Sequence, residues 1–305
     1  MKLILILALI SLKSCGSDTP MESDATQKIV AKVSSDSIFS YIQTLADFGT
    51  RRYNYPQKLL ARDWLKAKME SFGYMVELEK FPIGADSGFN VIAYKQPITT
   101  ESYIIFDGHY DSRAEAVSDH SVAPGADDNG SGVAVIMEIA RHLATVDTKP
   151  IKFIFFDAEE IGLVGSNYHS QAAKNRNDKI SFVLNLDMVG GDINNHQQNT
   201  IVCEEDQNNK FADDDLSKSL NQELASTMQK YTPLNVVVDA AYASDYEGFE
   251  QQGYTIIGLY EYHGQTNLTY HKSIDTFANL HPTFAYDVAK GAMAFMYLKS
   301  KVASD

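Results

Sequence analysis

Cysteine and tryptophan are scarce in this sequence. Its 305 residues include two cysteines, Cys15 and Cys203, and one tryptophan, Trp64. Two cysteines form at most one disulfide, so the chain is not a small scaffold held together by several disulfides. With 44% hydrophobic residues, it is long enough and apolar enough to bury a large core without them.

Positive charge is also in short supply. The chain has 26 Lys and Arg against 40 Asp and Glu, which gives a formal net charge of -14. Binding to nucleic acid requires arrays of Lys and Arg that face phosphate groups, so we expect no nucleic-acid partner. An acidic surface is typical of a soluble protein, and part of the acid excess can also serve as metal ligands.

The apolar run at the N-terminus, Leu3–Leu12, is too short to cross a bilayer, which takes about 20 residues. It follows Lys2 and suits the apolar core of a signal peptide. The segment Ser14–Gly16 resembles the lipobox of bacterial lipoproteins, although Lys13 departs from that pattern. The resemblance implies a lipid on Cys15, and the alternative is an ordinary cleaved signal with an incidental cysteine.

We therefore expect a lipoprotein-type signal peptide over residues 1–14, a tether over 15–27 and a single catalytic domain over 28–305. The protein would then be extracytoplasmic and would face the periplasm or the cell exterior. It would touch the membrane only through the lipid on Cys15. The domain contains no internal repeat and no linker, and we expect it to be a monomer.

One stretch, Ile104–Gly132, concentrates the residues that can carry chemistry. An apolar strand ends at Asp107-Gly108, and His109 and Asp111 follow directly. After a polar loop and a glycine-rich segment, apolar residues from Val133 onward recur at intervals of three and four, which predicts a helix. In an open α/β sheet, ligands bind at the carboxyl ends of the strands, and this is where the sequence places these polar residues.

The rest of the chain alternates apolar strands with amphipathic helices. The predicted strands are Met75–Phe81, Phe89–Tyr94, Tyr103–Phe106, Ile151–Phe156, Ser181–Leu186, Ile201–Val202, Leu234–Val238 and Thr255–Leu259. The predicted helices are Ile29–Phe48, Leu59–Phe72, Val133–Val146, Ser166–Ala173, Leu216–Tyr231, His281–Leu298 and a short one from Ala243. This alternation predicts an α/β fold: a three-layer αβα sandwich around a central mixed, mostly parallel sheet.

Five potential metal ligands stand at the ends of predicted elements: His109, Asp128, Glu160, Asp187 and His271. Each alone is weak, because a strand-end Asp is more often a cap or turn residue. The mixture of imidazole and carboxylate suits zinc, cobalt or manganese better than calcium, which prefers oxygen alone. The absence of cysteine from the set argues against a closed structural zinc site.

Several motifs around these residues resemble one family, the secreted bacterial dizinc aminopeptidases, which are leucyl-aminopeptidase-like zinc exopeptidases with co-catalytic metals. The motifs come in the family's order and span nearly the whole chain after the tether. They are GHYDS at Gly108–Ser112, SVAPGADDNGSG at Ser121–Gly132, FFDAEEIGLVGS at Phe155–Ser166, LNLDMVG at Leu184–Gly190 and YHKSIDT at Tyr270–Thr276. The resemblance implies a fold of the zinc-exopeptidase type.

The resemblance also implies a ligand set for two Zn2+ ions. Asp128 would bridge the two ions. His109 and Asp187 would complete the coordination of one ion, and Glu160 and His271 that of the other.

Three further residues match catalytic positions of the family. Asp111 would hydrogen-bond and orient the ring of His109, as carboxylates commonly do beside ligating histidines. Glu159 would be the general acid and base. Tyr270 would either stabilise an oxyanion through its phenol or simply pack in the wall of the site.

The resemblance implies an aminopeptidase that acts on peptides with a free N-terminus. Two cations about 3.5–4 Å apart share one water and lower its pKa. Glu159 would take the proton of that water as hydroxide attacks the scissile carbonyl, and would pass it to the leaving amine. The α-amine of the substrate would lie against carboxylates that include Glu159 and Asp187.

Three alternatives stay open. Glutaminyl cyclases share this fold with a single zinc ion, but they have Trp before the last His, where this chain has Tyr270, and an insertion after the paired glutamates. A carboxypeptidase or dipeptidase can use the same metal pair. A non-catalytic receptor of this fold loses ligands or the base, whereas all five ligands and Glu159 are present here.

Other polar residues receive structural interpretations. We assign Ser244-Asp245-Tyr246 to the wall of the site, and Ser131 to a tight helix entry. Asp275 is interpreted either as a support for His271 or as a turn residue. Candidate residues for the pocket that holds the substrate side chain are Tyr242, Ile257 and Tyr262–Leu268.

Overall fold

A computed structural model of the chain describes residues 20–98, 102–193, 199–208, 210 and 214–302. The predicted signal peptide and Cys15 lie outside these residues. Within the described part, no helix has the length and apolar character needed to span a bilayer.

The described residues form eight helices and eight strands, with a few short 3-10 turns between them. The helices are α1 (Pro20–Val30), α2 (Ser35–Asp47), α3 (Gln57–Ser71), α4 (Gly130–Leu143), α5 (Val164–Arg176), α6 (Asp214–Tyr231), α7 (Glu247–Glu250) and α8 (Phe284–Ser300). The strands are β1 (Met75–Ile83), β2 (Asp86–Tyr94), β3 (Tyr103–His109), β4 (Ile151–Phe156), β5 (Ile180–Asp187), β6 (Thr200–Glu205), β7 (Asn235–Ala240) and β8 (Ile256–Glu261).

All eight strands belong to one sheet with the order β1-β2-β4-β3-β5-β8-β6-β7. The central strands β4, β3, β5 and β8 run parallel to one another, and β6 and β7 are parallel to each other. The remaining pairs, β1 with β2, β2 with β4 and β6 with β8, are antiparallel. The predicted mixed, mostly parallel sheet is therefore confirmed.

Helices cover both faces of the sheet. Alternate residues of the central strands point to opposite faces, so the neighbours Phe153 and Ile154 of β4 belong to two separate apolar clusters. The larger cluster lies under α1–α4, α6 and α8, and the smaller one lies under α5 and α7. Because both faces are buried, the central strands read as continuous apolar runs in the sequence.

The N-terminal part of the domain departs from the prediction in two ways. Residues 20–27 of the expected tether belong to α1, which packs against α8 and buries Thr26, Ile29 and Val30. The single predicted helix Ile29–Phe48 is two helices, because the side chain of Ser34 caps α2 by accepting the N–H of Ser37. Tertiary packing stabilises α1, whose own sequence is too polar to signal a helix.

The loop after α2 is fixed to the sheet by a buried arginine. The guanidinium of Arg51 is fully buried and donates hydrogen bonds to the carbonyls of Tyr110, Leu45 and Gly125 at 2.6, 3.0 and 2.9 Å. It also bonds the carbonyl of Pro124. These bonds hold the chain after β3 and the glycine-rich turn before α4 in one place.

Candidate metal centre

Three adjacent strands deliver polar residues to the same edge of the sheet. His109 is the last residue of β3 and Asp187 the last of β5, and these strands are parallel neighbours. β4 lies on the other side of β3, and Glu159 and Glu160 follow its end at once. The carboxyl ends of parallel strands meet at one edge, which explains why residues far apart in the chain converge here.

Asp128, in the turn before α4, faces both histidines. Its Oδ1 lies 3.2 Å from Nε2 of His109, and its Oδ2 lies 3.1 Å from Nε2 of His271. All three side chains are buried. One carboxylate therefore stands between two imidazoles and presents a separate oxygen to each.

Each histidine has a second carboxylate beside it. Oδ1 of Asp187 lies 3.4 Å from Nε2 of His109, and Oε2 of Glu160 lies 3.2 Å from Nε2 of His271. Among the described residues, two compact groups of potential ligands share Asp128, and a third group joins His109 to Glu159 and Glu160. The structure thus brings all five sequence-predicted ligands together.

The chemistry of these groups fits zinc. Each group combines one imidazole with two carboxylates, a ligand type and number that open zinc sites use. Oε1 of Glu160 is buried without a hydrogen-bond partner among the described residues. Burial and the neighbouring Asp128 together raise the pKa of Glu160 to about 7, although His271 lowers it. A cation between these carboxylates would remove their repulsion.

Asp111 holds His109 and the paired glutamates in position. Its carboxylate accepts the backbone N–H groups of Glu159 and Glu160 at 3.1 and 3.4 Å, and it lies 3.5 Å from Nδ1 of His109. The backbone carbonyl of Asp111 accepts a hydrogen bond from the same ring nitrogen at 3.3 Å, so Asp111 orients both the histidine and the paired glutamates. Glu159 lies next to His109, with Oε2 3.9 Å from the ring nitrogen Nε2.

Asp275 plays a different part from the support of His271 considered above. Its two carboxylate oxygens accept the backbone N–H groups of Asp127 and Asp128, at 2.9 and 3.1 Å. This interaction fixes the turn that carries Asp128. This contact with a distant segment is neither the support of His271 nor the local turn role that the sequence suggested.

Asn129 and Ser131 tie the start of α4 to the segment after β5. The side chain of Asn129 donates to the carbonyl of Leu186 at 2.7 Å and accepts the N–H of Met188 at 3.2 Å. The hydroxyl of Ser131 donates to the carbonyl of Asp127 at 2.7 Å. Ser131 is thus engaged in the tight helix entry that the sequence indicates.

A pocket of about 500 Å³ opens over the metal centre. Tyr270 lines it and stacks on the ring of His271 with 3.7 Å between ring centroids. Tyr242 and Gln265, from the two predicted wall segments, also line it. Ile257 does not, because it is fully buried in the apolar cluster on the opposite face of the sheet.

The segment Ser244-Asp245-Tyr246 contributes to the wall, as expected from the sequence. Ser244 and Tyr246 line the pocket. The hydroxyl of Ser244 donates to Oδ2 of Asp187 at 2.8 Å. Ser244 therefore also orients one of the candidate ligands.

Arg113 and Glu204 are among the pocket residues that were missed in the sequence. Arg113 places Nε 3.3 Å from Oε2 of Glu160, and its guanidinium also contacts His271. Glu204, near the end of β6, also lines the pocket. Like Asp187, Glu204 is an acid near the end of a strand, and the sequence contains that signal. The predicted strand at Ile201–Val202 was too short, so Glu204 was not recognised as a strand-end acid.

Residues 90–296 match the sequence profile of peptidase family M28, and the chain belongs to that family. It is 34% identical to a probable zinc metalloprotease of Pyrenophora tritici-repentis. The alignment extends over 197 residues and covers 57% of this chain and 41% of the relative. It is 26% identical to a probable leucine aminopeptidase of Trichophyton verrucosum. That alignment extends over 292 residues and covers 90% of this chain and 75% of the relative. The chain spans less than half the length of the zinc metalloprotease relative.

Solved structures share the fold. The LapA aminopeptidase of Legionella pneumophila superposes with a TM-score of 0.76 at 23% identity, over 99% of this chain and 81% of that one. A glutaminyl cyclase of Bacteroides thetaiotaomicron superposes with a TM-score of 0.73 at 21% identity. This superposition covers 87% of this chain and 98% of the cyclase. Because both likenesses are below 25% identity, they concern the fold, which is of the predicted zinc-exopeptidase type.

Proposed function

We propose that this chain is a zinc-dependent aminopeptidase that removes N-terminal residues from peptides with the help of two co-catalytic ions. The observation that carries the proposal is the position of Asp128, whose two oxygens face two different histidines. Membership of peptidase family M28 supports a zinc peptidase.

The residues divide into two ligand groups around Asp128. His109 and Asp187 would hold one ion, and Glu160 and His271 the other, with Asp128 shared between them. When bound, zinc polarises the scissile carbonyl and makes water more acidic. Asp111 and Asp275 keep the ligands in place through the hydrogen bonds described above.

Glu159 is the residue that we assign to proton transfer. It lines the pocket beside the ligands, and its backbone N–H is held by Asp111. Its carboxylate would accept a proton from the attacking water and return that proton to the nitrogen of the leaving amine. Burial raises the pKa of Glu159 well above its ordinary value, and the acids Glu160 and Asp187 add to the shift, which makes it a competent base.

The pocket also offers groups for the rest of the substrate. The carboxylates of Glu159 and Asp187 favour a protonated α-amine, which gives a physical reason for preferring a free N-terminus. Burial raises the pKa of the Tyr270 phenol, and nearby acids raise it further, so that the phenol stays protonated. It can then donate a hydrogen bond to the carbonyl oxygen as negative charge develops there.

The first test replaces Glu159 by Gln. We expect hydrolysis of aminoacyl-p-nitroanilides to fall by about two to four orders of magnitude, because the base is lost, while the zinc content measured by mass spectrometry stays that of the wild type. Full activity of Glu159→Gln would rule out the assigned role. If the wild type releases no nitroaniline with any residue despite bound zinc, the peptidase proposal fails.

A panel of substrates separates the related activities. Free dipeptides and N-acetylated dipeptides distinguish an aminopeptidase from a carboxypeptidase, since acetylation blocks only the former. Cyclisation of an N-terminal glutamine, followed by mass spectrometry, tests the cyclase. We expect cleavage of the free peptides, none of the acetylated ones, and no cyclised product.

The proposed location is extracytoplasmic, with Cys15 lipidated. This part of the proposal is supported only by the apolar run and the Ser14–Gly16 segment of the sequence. Mass spectrometry of the N-terminal peptide of the mature chain tests it, and an unmodified or retained leader would refute it.

A further inference from the structure

The wall of the pocket also contains a buried acid, Glu204, which belongs to neither of the two proposed ligand groups. Across the sheet, Asn185 of β5 is paired with Gly258 of β8, which is paired with Glu204 of β6. Gly258 has no side chain, and a Cβ there would collide with the carboxylate of Glu204 and lie 3.0 Å from the ring of Tyr246. The glycine therefore lets Glu204 and Tyr246 extend over β8, where both line the pocket.

The carboxylate of Glu204 lies among groups that do not neutralise it. Its side chain is 5% exposed and hydrogen-bonds to Tyr246, whose hydroxyl also accepts the N–H of Tyr242 at 2.8 Å. Burial and the nearby acids Asp187 and Asp239 together raise the pKa of Glu204 to about 8, although the hydrogen bond with Tyr246 lowers it. A buried carboxylate in such surroundings gains strongly from a cationic partner.

No described Lys or Arg lines the pocket beside Glu204, and Lys210 lines an adjoining pocket that shares Tyr242, Tyr246 and Glu247 with it. Among the described residues that line the pocket, Arg113 is the only Lys or Arg, and it contacts Glu160 and His271 at the metal centre. A second acid, Glu247, also lines the pocket. Bound zinc would neutralise its own ligands, whereas Glu204, whose raised pKa favours the protonated form, would ionise beside a cationic group of the substrate.

We propose that Glu204 determines specificity by binding the cationic side chain of a substrate, so that the enzyme prefers Lys or Arg as the N-terminal residue. The inference rests on the proposed aminopeptidase function. The pocket runs continuously from Glu159 to Glu204, and its volume of about 500 Å³ is large enough for a lysine or arginine side chain. The net charge of -14 also favours the approach of cationic peptides.

The test compares two p-nitroanilides whose side chains have nearly the same shape, lysine and its neutral analogue norleucine. For the zinc-loaded wild type, we expect kcat/KM to be about tenfold or more higher for lysine. In Glu204→Gln, that ratio should fall about tenfold or more, because a charge-assisted contact is replaced by a neutral one. Glu204→Asp keeps the charge and should retain part of the preference.

Glu205→Gln is the matched control. Glu205 is the next residue of β6, is equally buried, and bonds Asn221 and Gln207 away from the pocket. Its substitution should leave the ratio unchanged. Thermal unfolding and zinc content show whether each variant is folded and loaded.

Three outcomes bear on the inference in different ways. An unchanged ratio in folded, zinc-loaded Glu204→Gln would overturn it and leave Glu204 as a wall residue. An equal loss for both substrates would also overturn it, because Glu204 would then bind the α-amine that they share. If the wild type cleaves neither substrate, the proposed function itself has failed.

Discussion

Asp275 illustrates how one buried side chain determines the position of a metal ligand that it does not touch. Its two oxygens accept the N–H groups of Asp127 and Asp128, so each oxygen has its own donor. The carboxylate of Asp128 can then present one oxygen to His109 and the other to His271. At the scale of the residue, the geometry of the centre depends on hydrogen bonds to the backbone as much as on the ligands.

Replacing Asp275 by Asn tests this support. The amide keeps one acceptor but turns an NH2 group towards one of the two N–H donors, so the turn that carries Asp128 must shift. We expect zinc affinity to fall about 10–100-fold, the range typical of groups that orient ligands. Competition with a chelator of known affinity measures the change. Asp63→Asn, at an exposed helix position, is the control, and equal affinity of the two variants would contradict the prediction.

At the scale of elements, the start of α2 is fastened to α4 by a single buried acid. Glu138 of α4 accepts the backbone N–H of Ser34, the N-cap of α2, at 2.7 Å. It also bonds Arg141 and His142 on its own helix. Burial alone would raise the pKa of Glu138, but the hydrogen bonds from His142, Arg141 and Ser34 outweigh it, and the pKa is lowered.

This shift predicts a dependence of stability on pH. Because the folded-state pKa lies below the ordinary value of 4.5, Glu138 stabilises the protein above about pH 4.5, and the contribution is lost as the pH falls through the folded-state pKa. We expect Glu138→Gln to lower the free energy of unfolding by about 1–3 kcal/mol at pH 7. Urea unfolding at pH 7 and pH 3.5 measures the difference from the wild type, which should shrink at the lower pH. A constant difference would show that the charge of Glu138 is irrelevant.

The elements themselves differ in how far the sequence predicts them. β3, β4 and β5 are buried on both faces, so their apolar runs are unambiguous. The predicted ends agree with β4 and lie within one residue for β5, whereas β3 continues three residues beyond its predicted end at Phe106. The lengths of α1 and β6 were underestimated in the sequence, because contacts with neighbouring elements stabilise them. α1 packs on α8, and β6 lies between β8 and β7 although its sequence ends in two acids.

At the scale of the molecule, the candidate centre collects residues from β3, the turn before α4, the end of β4, β5 and the loop before α8. The sequence indicates each residue through its place at the end of an element, and the motifs that resemble the family pair the residues with one another. Periodicity alone could not show which residues meet in space, because that depends on the order of the strands in the sheet. The roles of Arg113 and Asp275 depend on contacts between distant segments, which leave no local pattern in the sequence.

A ligand that joins so many elements should stabilise the whole fold. A site at a free zinc concentration 100 times its Kd adds about 2.7 kcal/mol. At about 2.1 cal/mol/K of unfolding entropy per residue, a chain of this size gains about 5 °C in Tm for each occupied site. We therefore expect zinc to raise the Tm of the chelator-treated protein by about 10 °C if two sites fill.

Two substitutions tell one site from two. Asp128→Asn weakens both proposed sites, because Asp128 faces both histidines, and should remove most of the rise in Tm. Asp187→Asn weakens only the site at His109. It should leave about half of the rise in Tm, since Glu160 and His271 still share Asp128. Each variant is compared with its own chelator-treated form in differential scanning calorimetry, so that effects of the substitution on the metal-free fold cancel. Equal loss in both variants would mean that a single ion bound by His109, Asp128 and Asp187 accounts for the stabilisation, and the assignment of Glu160 and His271 to a second ion would have to be withdrawn.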